Sequence, residues 1–455
     1  MNILFLFAIC FGFLPSFGEG TKNLEDIPSG STNNEATDDA QQSDEQFLMG
    51  QIEEAKKWAL ANGLIQRVGL FGAFNFAPFS LFPSPFPREL FHKAVDVQKS
   101  LQLLYFRAMR DFDFLKEMHR DITETNEKFR QMGPIGGFGT SSRVTMLHQH
   151  VLSMANADTS PAALPPNHPD TMVAKALHMA WNEFGNREAV ILFLHAHNFD
   201  PRLIELRQVE KELERISNGQ TKCIFLHLRK GLRRLTRHPE NFSLILDGQI
   251  LVAVVHHCYT AERATRYQRK IIFEIVRRST AIQNSFHLSL AHTKRMQQLF
   301  TLPGVVERFF PRPEEAHMVK AIREVLTKSW SIGEGDEEAE EIIKKVKMNP
   351  ENYVMKWNEC GRSMPGKEIL FGNEIIEELE TMTNLERNNF IIMEKLKPAQ
   401  VKNHFIFPNS APIFNDGTVL QQFSGEAHQM KTKSATENEG GVWYGRSVYD
   451  SPLLV

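Results

Sequence analysis

The paired histidines are the residues in this chain with the most obvious capacity for chemistry. His148 and His150 lie in LHQHVL, and His256 and His257 lie in VVHHC. Imidazoles bind zinc when cysteine, histidine or acidic side chains complete a set of about four ligands. Neither pair is accompanied by such a set, so we interpret both as surface or capping histidines.

Short motifs that mark several common classes of enzyme are missing from the sequence. It has no Walker A loop, no HExxH, no paired CxxC and no nucleophile elbow. These motifs carry the phosphate-binding, metal-binding and nucleophilic groups of P-loop nucleotidases, zinc proteases and serine hydrolases. Simple hydrolase and zinc-site interpretations are therefore excluded.

The composition is that of a folded, globular protein. The chain has 455 residues, of which 42% are hydrophobic and 24% charged, and its net charge is -3 with a pI near 6.6. This length is enough for one large or two medium cores. The overall charge indicates neither a nucleic-acid partner nor an anionic membrane.

The first residues predict export. Residues 1–18 form a short apolar run broken by Pro15, with Ser16 and Gly18 placed as at a cleavage site, so we expect a signal peptide and a secreted protein. The run is too short to span a membrane. Residues 19–46 are rich in Ser, Thr, Asn, Asp and Glu, and we predict a disordered acidic linker.

Cysteine usage and one glycosylation sequence are compatible with secretion without proving it. Cys223, Cys258 and Cys360 follow the predicted signal peptide, and this odd number leaves at least one thiol unpaired, so no disulfide framework is implied. The sequence Asn241-Phe242-Ser243 is a glycosylation acceptor that only a secretory route would use, and such triplets often occur by chance.

The pattern of elements after residue 46 predicts an α/β protein. Helical spacing around QIEEAKKWALANGL leads into FNFAPFSLFPSPFP, whose prolines require an extended segment. Helices then alternate with the apolar runs AVILFLHAH and KCIFLHLR, and SLILDGQILVAVVHH reads as a hairpin. Residues 313–346 are charged and helical in pattern, and the remainder mixes short strands with turns.

Several segments, in order, resemble eukaryotic glutathione synthetase. They are APFSLFPSPFP, SFHLSLAHTKRMQQLF, VMK, ILFGNE, FIIMEKLKP, AHQMKTK and the C-terminal NEGGVWYGRSVYDSPLLV. Each is weak alone, but their order and the characteristic C-terminus make coincidence improbable. The resemblance extends over roughly residues 50–455.

The resemblance implies an ATP-grasp ligase fold of the glutathione-synthetase type. Residues 47–300 would form the N-terminal and substrate region with a parallel sheet, and residues 301–455 the C-terminal ATP-grasp and lid region. ATP and Mg²⁺ are the implied cofactors, since ATP activates a carboxylate that glycine then attacks. The family also suggests a homodimer.

Position by position, the resemblance assigns a nucleotide site. Lys294, Lys356 and Lys433 match the family's nucleotide lysines, and Phe371 stands where the family has a tyrosine beside ATP. The segment that holds adenine corresponds to Met393, Glu394 and Lys395.

The metal and substrate positions depart from the family pattern. A Glu-x-Asn that supplies magnesium ligands in the family is missing between Arg130 and Gly133, which leaves Glu359 as one metal ligand that the resemblance implies. Cys258 replaces the substrate-binding arginine. Lys431 replaces a second arginine, and a thiol or an ammonium cannot reproduce the planar, bidentate guanidinium. In the last glycine loop, Val442 precedes Trp443, which replaces an alanine.

Three functional hypotheses remain open at this point. The chain resembles the secreted glutathione-synthetase-like effectors of plant-parasitic nematodes, in which glutathione synthesis would be lost or altered. Alternatively, it is an active ligase joining γ-glutamylcysteine, or a related small substrate, to glycine. A third hypothesis is a non-catalytic protein whose cleft binds a small thiol peptide or a host protein. Fold alone does not choose among them.

Overall fold

The computed structural model describes most of the chain after residue 37. The described residues are 38–68, 73–118, 138–195, 201–258, 265–283, 293–333, 338–357, 369–396, 400–408, 413–424, 427–434 and 447–455. The predicted signal peptide lies outside these ranges, as do Glu359, Cys360, Val442 and Trp443.

Helices and strands alternate along the described residues. The α-helices are α1 (Asp38–Ala61), α2 (Arg88–Arg110), α3 (Phe112–Met118), α4 (Phe138–Met154), α5 (Pro169–Phe184), α6 (Pro201–Ile216), α7 (Leu228–Gly231), α8 (Arg266–Ile271), α9 (Lys294–Thr301), α10 (Val305–Phe309), α11 (Ala316–Val325), α12 (Ala339–Met348), α13 (Asn373–Thr381) and α14 (Asn384–Arg387). A π-helical segment, Ile272–Arg277, continues α8, and three short 3-10 turns are Leu232–Arg234, Pro313–Glu315 and Pro350–Asn352.

The strands of the described residues lie in five sheets. They are β1 (Ile65–Val68), β2 (Ala73–Phe76), β3 (Phe79–Ser80), β4 (Ser84–Phe86), β5 (Val190–His195), β6 (Cys223–His227), β7 (Leu235–Arg237), β8 (Leu244–Leu246), β9 (Ile250–Cys258), β10 (Ile282–Gln283), β11 (Ser329–Ser331), β12 (Tyr353–Trp357), β13 (Ile369–Phe371), β14 (Phe390–Glu394), β15 (Gln400–Ile406), β16 (Ile413–Ser424), β17 (Ala427–Ser434), β18 (Ser447–Asp450) and β19 (Pro452–Leu454).

Helix α1 overlaps the predicted linker. It begins at Asp38, inside the segment 19–46 that composition predicts to be disordered. Acidic residues at a helix N-terminus complement its partial positive charge, and further along the helix Ile52, Ala55 and Ala59 are buried in a core cluster. Residues 38–46 of the predicted linker therefore form the first part of this helix.

A six-stranded mixed sheet forms the α/β part of the fold. Its order is β6-β5-β9-β8-β7, with β10 beside β9. Strands β5, β6, β9 and β10 are parallel, whereas β7, β8 and β9 form the antiparallel portion that includes the predicted hairpin. Helices α5 and α6 bury one face of the sheet, and the π-helical segment after α8 buries the other. The predicted alternation of helix and strand is confirmed.

The two other main sheets are antiparallel except where β18 pairs with β3, which is a parallel pair. A four-stranded sheet has the order β11-β14-β12-β13, and a closed barrel has the order β15-β16-β17-β18-β3. Strands β3 and β4 come from the Phe- and Pro-rich segment, which is extended as predicted. Because β4 pairs with β19, this segment is joined to the C-terminal end of the described chain.

Packing crosses the boundary that the resemblance places at residue 300. Leu104 and Tyr105 of α2 lie in one core cluster with Phe300 of α9 and Ile322 of α11. Tyr105 and Phe300 meet edge to face, with ring centroids 5.1 Å apart. The division into 47–300 and 301–455 therefore describes sequence regions, while the core is shared between them.

A strand interrupts the segment 313–346 that the sequence predicts to be helical. Strand β11 lies between α11 and α12 and pairs with β14. Three residues are too few to show a period of two against a helical background, and Trp330 packs beside the core that α12 also covers. The prediction is correct for both helices and wrong for the strand between them.

The histidines predicted to lie on the surface or at caps are largely buried. His148 of α4 is fully buried, with Nδ1 2.5 Å from Ser451 Oγ and Nε2 2.7 Å from the Ser80 carbonyl oxygen. It therefore links α4 to strand β3 and to the C-terminal residues. His150 is half-buried and stacks on Trp58 at 6.0 Å.

His256 and His257 lie within strand β9 and face opposite sides of the sheet. His256 meets Phe193 edge to face at 5.4 Å, and His257 Nε2 lies 3.1 Å from Gln283 Oε1. Burial lowers the pKa of His256 to about 4 and that of His257 to about 3. The surface interpretation failed because strand pairing with β5 encloses β9, which local sequence does not reveal.

Candidate nucleotide and substrate site

The four-stranded sheet has two faces of different character. On one face, Met355, Leu370 and Ile392 pack into a core cluster with residues of α12 and α13. Met355 lies opposite both Leu370 and Ile392 in the antiparallel register, so these three side chains share a face. This face is closed by helices.

The second face carries three of the predicted nucleotide residues. Val354 lies opposite Phe371 on one side and Met393 on the other, which places all three on a common face. Lys356 is two residues farther along β12 and shares that face, because side chains alternate along a strand. Lys356, Phe371 and Met393 are half-buried, and together they define what we call the lysine face.

Lys395 reaches the same place from the end of β14. Its ammonium lies 5.7 Å from the centroid of the Phe371 ring, within the range of a cation–π interaction. Its Nζ is 3.6 Å from Glu351 Oε2, and its backbone N–H donates to the Asn352 carbonyl at 2.8 Å. Glu351 and Phe371 therefore hold Lys395 at the rim of the lysine face.

Glu394 does not share the face of Met393. It lies opposite Tyr353, one position out of phase with the pair formed by Met393 and Val354, and its side chain is exposed. Any contribution of Glu394 to a ligand on the lysine face would come from its backbone rather than its carboxylate.

The turn after Phe371 depends on glycine. Gly372 has φ of 53°, a conformation that L-residues with a side chain rarely adopt. A Cβ atom built there would lie 2.5 Å from Glu351 Oε1. This glycine therefore leaves room for the carboxylate that positions Lys395.

Lys294 begins helix α9, which packs against β11 and β14. The Thr293 hydroxyl caps the helix by accepting from the Met296 N–H at 3.2 Å. At the other end, the Thr301 hydroxyl donates to the Gln298 carbonyl at 2.6 Å, and its oxygen lies 3.3 Å from the carbonyl oxygen of Ser329 in β11. Lys294 thus stands on a helix that adjoins the sheet, while the lysine face itself is assembled by strands.

Strand β17 carries the two remaining predicted lysines. The ammonium of Lys431 lies 5.8 Å from the centroid of the Tyr449 ring, and burial lowers the pKa of Lys431. Lys433 pairs with Thr418 of β16 and Ser447 of β18 through its backbone. Both lysines therefore belong to the barrel, on a different sheet from Lys356.

Cys258 ends strand β9, next to two histidines that no sequence motif marks. In the parallel register His195 of β5 lies beside both His227 of β6 and Cys258 of β9. The two imidazole rings are 5.3 Å apart and perpendicular. We call these three residues the histidine edge. The carboxyl ends of parallel strands commonly form binding sites, and this signal could have identified both histidines.

The Cys258 thiol is buried in the core rather than exposed to a ligand. Its side chain belongs to the core cluster under α5 and α6, its Sγ–H donates to the His256 carbonyl at 3.4 Å, and burial raises its pKa well above the ordinary value. A neutral thiol in this setting neither pairs with a carboxylate nor acts as a nucleophile. Cys223, half-buried on β6, is also unpaired, and burial raises its pKa to about 12.

Donor side chains in the described part of the chain do not assemble a metal site. Within those ranges no group of three or more His, Cys, Asp or Glu side chains is placed to hold a metal ion. Glu359 lies outside them.

Comparison with known proteins decides the family. The model of the eukaryotic glutathione synthase ATP binding domain matches residues 45–133 and 135–454. This chain belongs to the eukaryotic glutathione synthetase family. The match includes both the four-stranded sheet with its lysine face and the six-stranded sheet with its histidine edge.

Relatives within the glutathione synthetase family match over nearly their whole length. Glutathione synthetase of Xenopus laevis is 25% identical, and the match covers 84% of this chain and 90% of the relative. The Bos taurus protein is also 25% identical, over 90% of this chain and 98% of its own. A solved apo structure of a glutathione synthetase-like effector from Globodera pallida is 38% identical, has a TM-score of 0.71 and covers 90% of this chain and 97% of that chain.

These matches confirm the predicted fold class. The chain is a mixed α/β protein with the ATP-grasp architecture of glutathione synthetase. Among the helices in the described residues, none is both long and apolar enough to cross a membrane.

Proposed function

We propose that this glutathione synthetase family member is an exported protein that keeps a nucleotide-binding face, has lost or altered glycine ligation, and acts as an effector in another organism. The observation that carries the proposal is the contrast between two sites. Lys356, Phe371 and Met393 are aligned on one face of a sheet, whereas the position expected to hold a substrate arginine is the buried thiol of Cys258.

The lysine face suits a nucleotide. Phe371 and Met393 offer apolar surface to a planar base, and the ammonium groups of Lys356 and Lys395 offer charge to its phosphates. Bound ATP with Mg²⁺ would supply an activated phosphoryl group. Lys294 and Lys433 are further candidates for phosphate contact, from α9 and from the barrel.

The substrate end suits γ-glutamylcysteine poorly. A guanidinium pairs with a carboxylate through two parallel hydrogen bonds, and Cys258 offers none. Lys431 provides a single charge, and burial lowers the pKa of its ammonium group. It would therefore hold a carboxylate less firmly than an arginine would. Val442 and Trp443 remain predicted members of this end.

The effector role draws on two further observations. The Globodera pallida structure with 38% identity is that of a glutathione synthetase-like effector, and the first 18 residues have the composition of a signal peptide. A small thiol peptide or a host protein is then the partner that we expect in the altered cleft. Homodimerisation stays a prediction from the family.

The second candidate function is an active ATP- and Mg²⁺-dependent glutathione synthetase, or a ligase for related small substrates. The retained lysines favour it, because phosphoryl-transfer chemistry depends mostly on positioning and charge stabilisation. Entry into a host cytosol would restore access to ATP, so export does not exclude catalysis.

Turnover by the purified chain separates the two candidates. Magnesium-dependent phosphate release would be measured with ATP, γ-glutamylcysteine and glycine, and glutathione would be quantified in parallel. The proposal predicts little or no glutathione. Clear glutathione formation that is lost in Lys356→Met and retained in Lys402→Met, an exposed strand lysine, would overturn it in favour of the ligase.

A further inference from the structure

The turn between β7 and β8 contains the only Asn-x-Ser/Thr triplet in the chain, Asn241-Phe242-Ser243. Residues 239–242 are exposed, including Phe242 at 45%. Other asparagines sit on exposed turns, but none has serine or threonine two positions later. The triplet and the exposed turn therefore coincide at a single place.

Backbone hydrogen bonds fix this turn without the side-chain amide nitrogen of Asn241, Nδ2. The His238 N–H donates to the Ser243 carbonyl at 2.9 Å, and the Phe242 N–H donates to the His238 carbonyl at 3.1 Å. The Thr280 N–H donates to the Phe242 carbonyl at 3.0 Å, which ties the turn to the segment after the π-helix. These are all backbone bonds, so a group added to a side chain would break none of them.

Asn241 uses its oxygen rather than its nitrogen in this turn. Its Oδ1 accepts from the Ser243 N–H at 3.0 Å. This Asx turn brings together Asn241 and Ser243, the two residues that define the triplet. Among the described residues, none accepts a hydrogen bond from Asn241 Nδ2. The atom that carries a sugar in N-linked glycans is therefore exposed and available.

A group attached to Asn241 would cover two exposed features of the surface near this turn. Strand β7 is the terminal strand of the six-stranded sheet in the part of the chain that the structure describes, and exposed sheet edges promote association unless they are blunted. Phe242 lies beside this edge with the Arg237 guanidinium 5.1 Å from its ring centroid. A bulky, hydrated glycan on Asn241 would shield both the edge and the exposed ring.

We infer that Asn241 is an N-glycosylation site of this protein. In the reaction, Nδ2 of Asn241 bonds to the anomeric carbon of an oligosaccharide donor linked to a lipid pyrophosphate. The bond from that carbon to the pyrophosphate oxygen breaks, and the Nδ2 proton is transferred to the base that accepts it as the pyrophosphate leaves. The inference rests on the proposed export, because only the secretory route holds the donor.

The test is expression of the full chain, with its own first residues, in a eukaryotic secretory host. The secreted product would be treated with N-glycosidase in heavy-oxygen water and mapped by peptide mass spectrometry. We expect labelled aspartate at position 241 in the natural chain and in Ser243→Thr, which keeps the triplet. We expect no glycan there in Asn241→Gln or Ser243→Ala.

A matched control makes a negative result informative. Gln220→Thr creates a second acceptor triplet, which begins at Asn218 on another exposed turn, so this variant should carry a second glycan, on Asn218. A secreted chain with a glycan on Asn218 and none on Asn241 would overturn the inference.

A second arm separates this inference from the proposed export. The same chain would be expressed behind a secretion signal of known efficiency. If the chain's own first residues fail to export it but the borrowed signal yields glycosylated Asn241, the export proposal fails and the site stands. An unmodified Asn241 behind the borrowed signal, with Asn218 modified in the control, rejects the site itself.

Discussion

The lysine face and the histidine edge lie on different sheets of one family fold, and they differ in how deeply their predicted site residues are buried. On the lysine face, Lys356, Phe371 and Met393 are aligned by antiparallel register on the side of the sheet that the helices α12 and α13 leave uncovered. At the histidine edge, Cys258 is enclosed under α5 and α6 beside His195. Under the proposed function, the family's nucleotide chemistry persists on one sheet, while packing closes the site for the second substrate on the other.

The largest effect is expected from placing a positive charge at position 258. Cys258→Arg would place a guanidinium where the thiol is 4% exposed, and an uncompensated buried charge costs about 3–5 kcal/mol. We expect a loss of that order in the free energy of unfolding, measured by urea denaturation. Cys258→Ala, the matched control, should cost about 1 kcal/mol. A stable Cys258→Arg protein would show that the edge opens to solvent, contrary to the packing described.

Acid should destabilise the six-stranded sheet before the four-stranded one. The folded-state pKa values of His256 and His257, about 4 and about 3, lie below the ordinary 6.5. The unfolded chain therefore binds more protons between pH 6.5 and 4, so stability is complete above pH 6.5 and falls as pH decreases. At pH 5.5 protonation of the two imidazoles in the unfolded chain lowers the free energy of unfolding by about 3 kcal/mol in total.

Hydrogen exchange by region would measure this acid effect. Strands β11–β14 contain no histidine, so their amides should stay protected at pH 5.5 when those of β5 and β9 begin to exchange. His257→Asn, which cannot gain a proton, should reduce the pH dependence by about half. Equal loss of protection in both sheets would contradict the assignment of acid sensitivity to the buried imidazoles.

Removing one charge from the lysine face should weaken nucleotide binding without unfolding the sheet. Hydrogen bonds from charged groups contribute about 1.5–3 kcal/mol, so Lys356→Met should reduce affinity for an ATP analogue about 10- to 100-fold. Titration calorimetry would measure this, with Lys402→Met as the exposed-lysine control. Unchanged affinity in Lys356→Met would remove Lys356 from the site.

A smaller effect is expected at the turn that positions Lys395. Gly372→Ala forces a side chain into a left-handed backbone conformation, at a cost of about 1–2 kcal/mol, and displaces the Glu351 carboxylate that lies 3.6 Å from Lys395. We expect a modest fall in melting temperature and weaker nucleotide binding. Glu351→Ala should weaken binding without the backbone cost. If Gly372→Ala alters stability alone, the turn does not position Lys395.

Local sequence predicts the elements of this fold better than it predicts their partners. The alternation of helix with AVILFLHAH and KCIFLHLR identifies β5 and β6, because apolar runs of this length carry their own signal. Strand β11 is missed because three residues between charged helices show no period. The barrel could not be foreseen from periodicity, since β3 pairs with strands more than three hundred residues away.

The candidate site also contains some residues that the sequence predicts and others that only strand pairing reveals. Lys356, Phe371, Met393 and Lys395 were predicted through resemblance in sequence order, and the register brings the first three onto one face with Lys395 at its rim. His195 and His227 were missed because their proximity depends on parallel pairing of β5 with β6. Glu394 was predicted with its neighbours, but the alternation of the strand turns its side chain away.

Ligand-induced thermal stabilisation tests the contrast between the two sites most directly. The purified chain would be melted with a non-hydrolysable ATP analogue and Mg²⁺, and separately with γ-glutamylcysteine, since a ligand that binds only the folded state raises its stability. We predict a higher melting temperature with the nucleotide, lost in Lys356→Met, and no change with the dipeptide. Stabilisation by γ-glutamylcysteine without any response to the nucleotide would contradict the account.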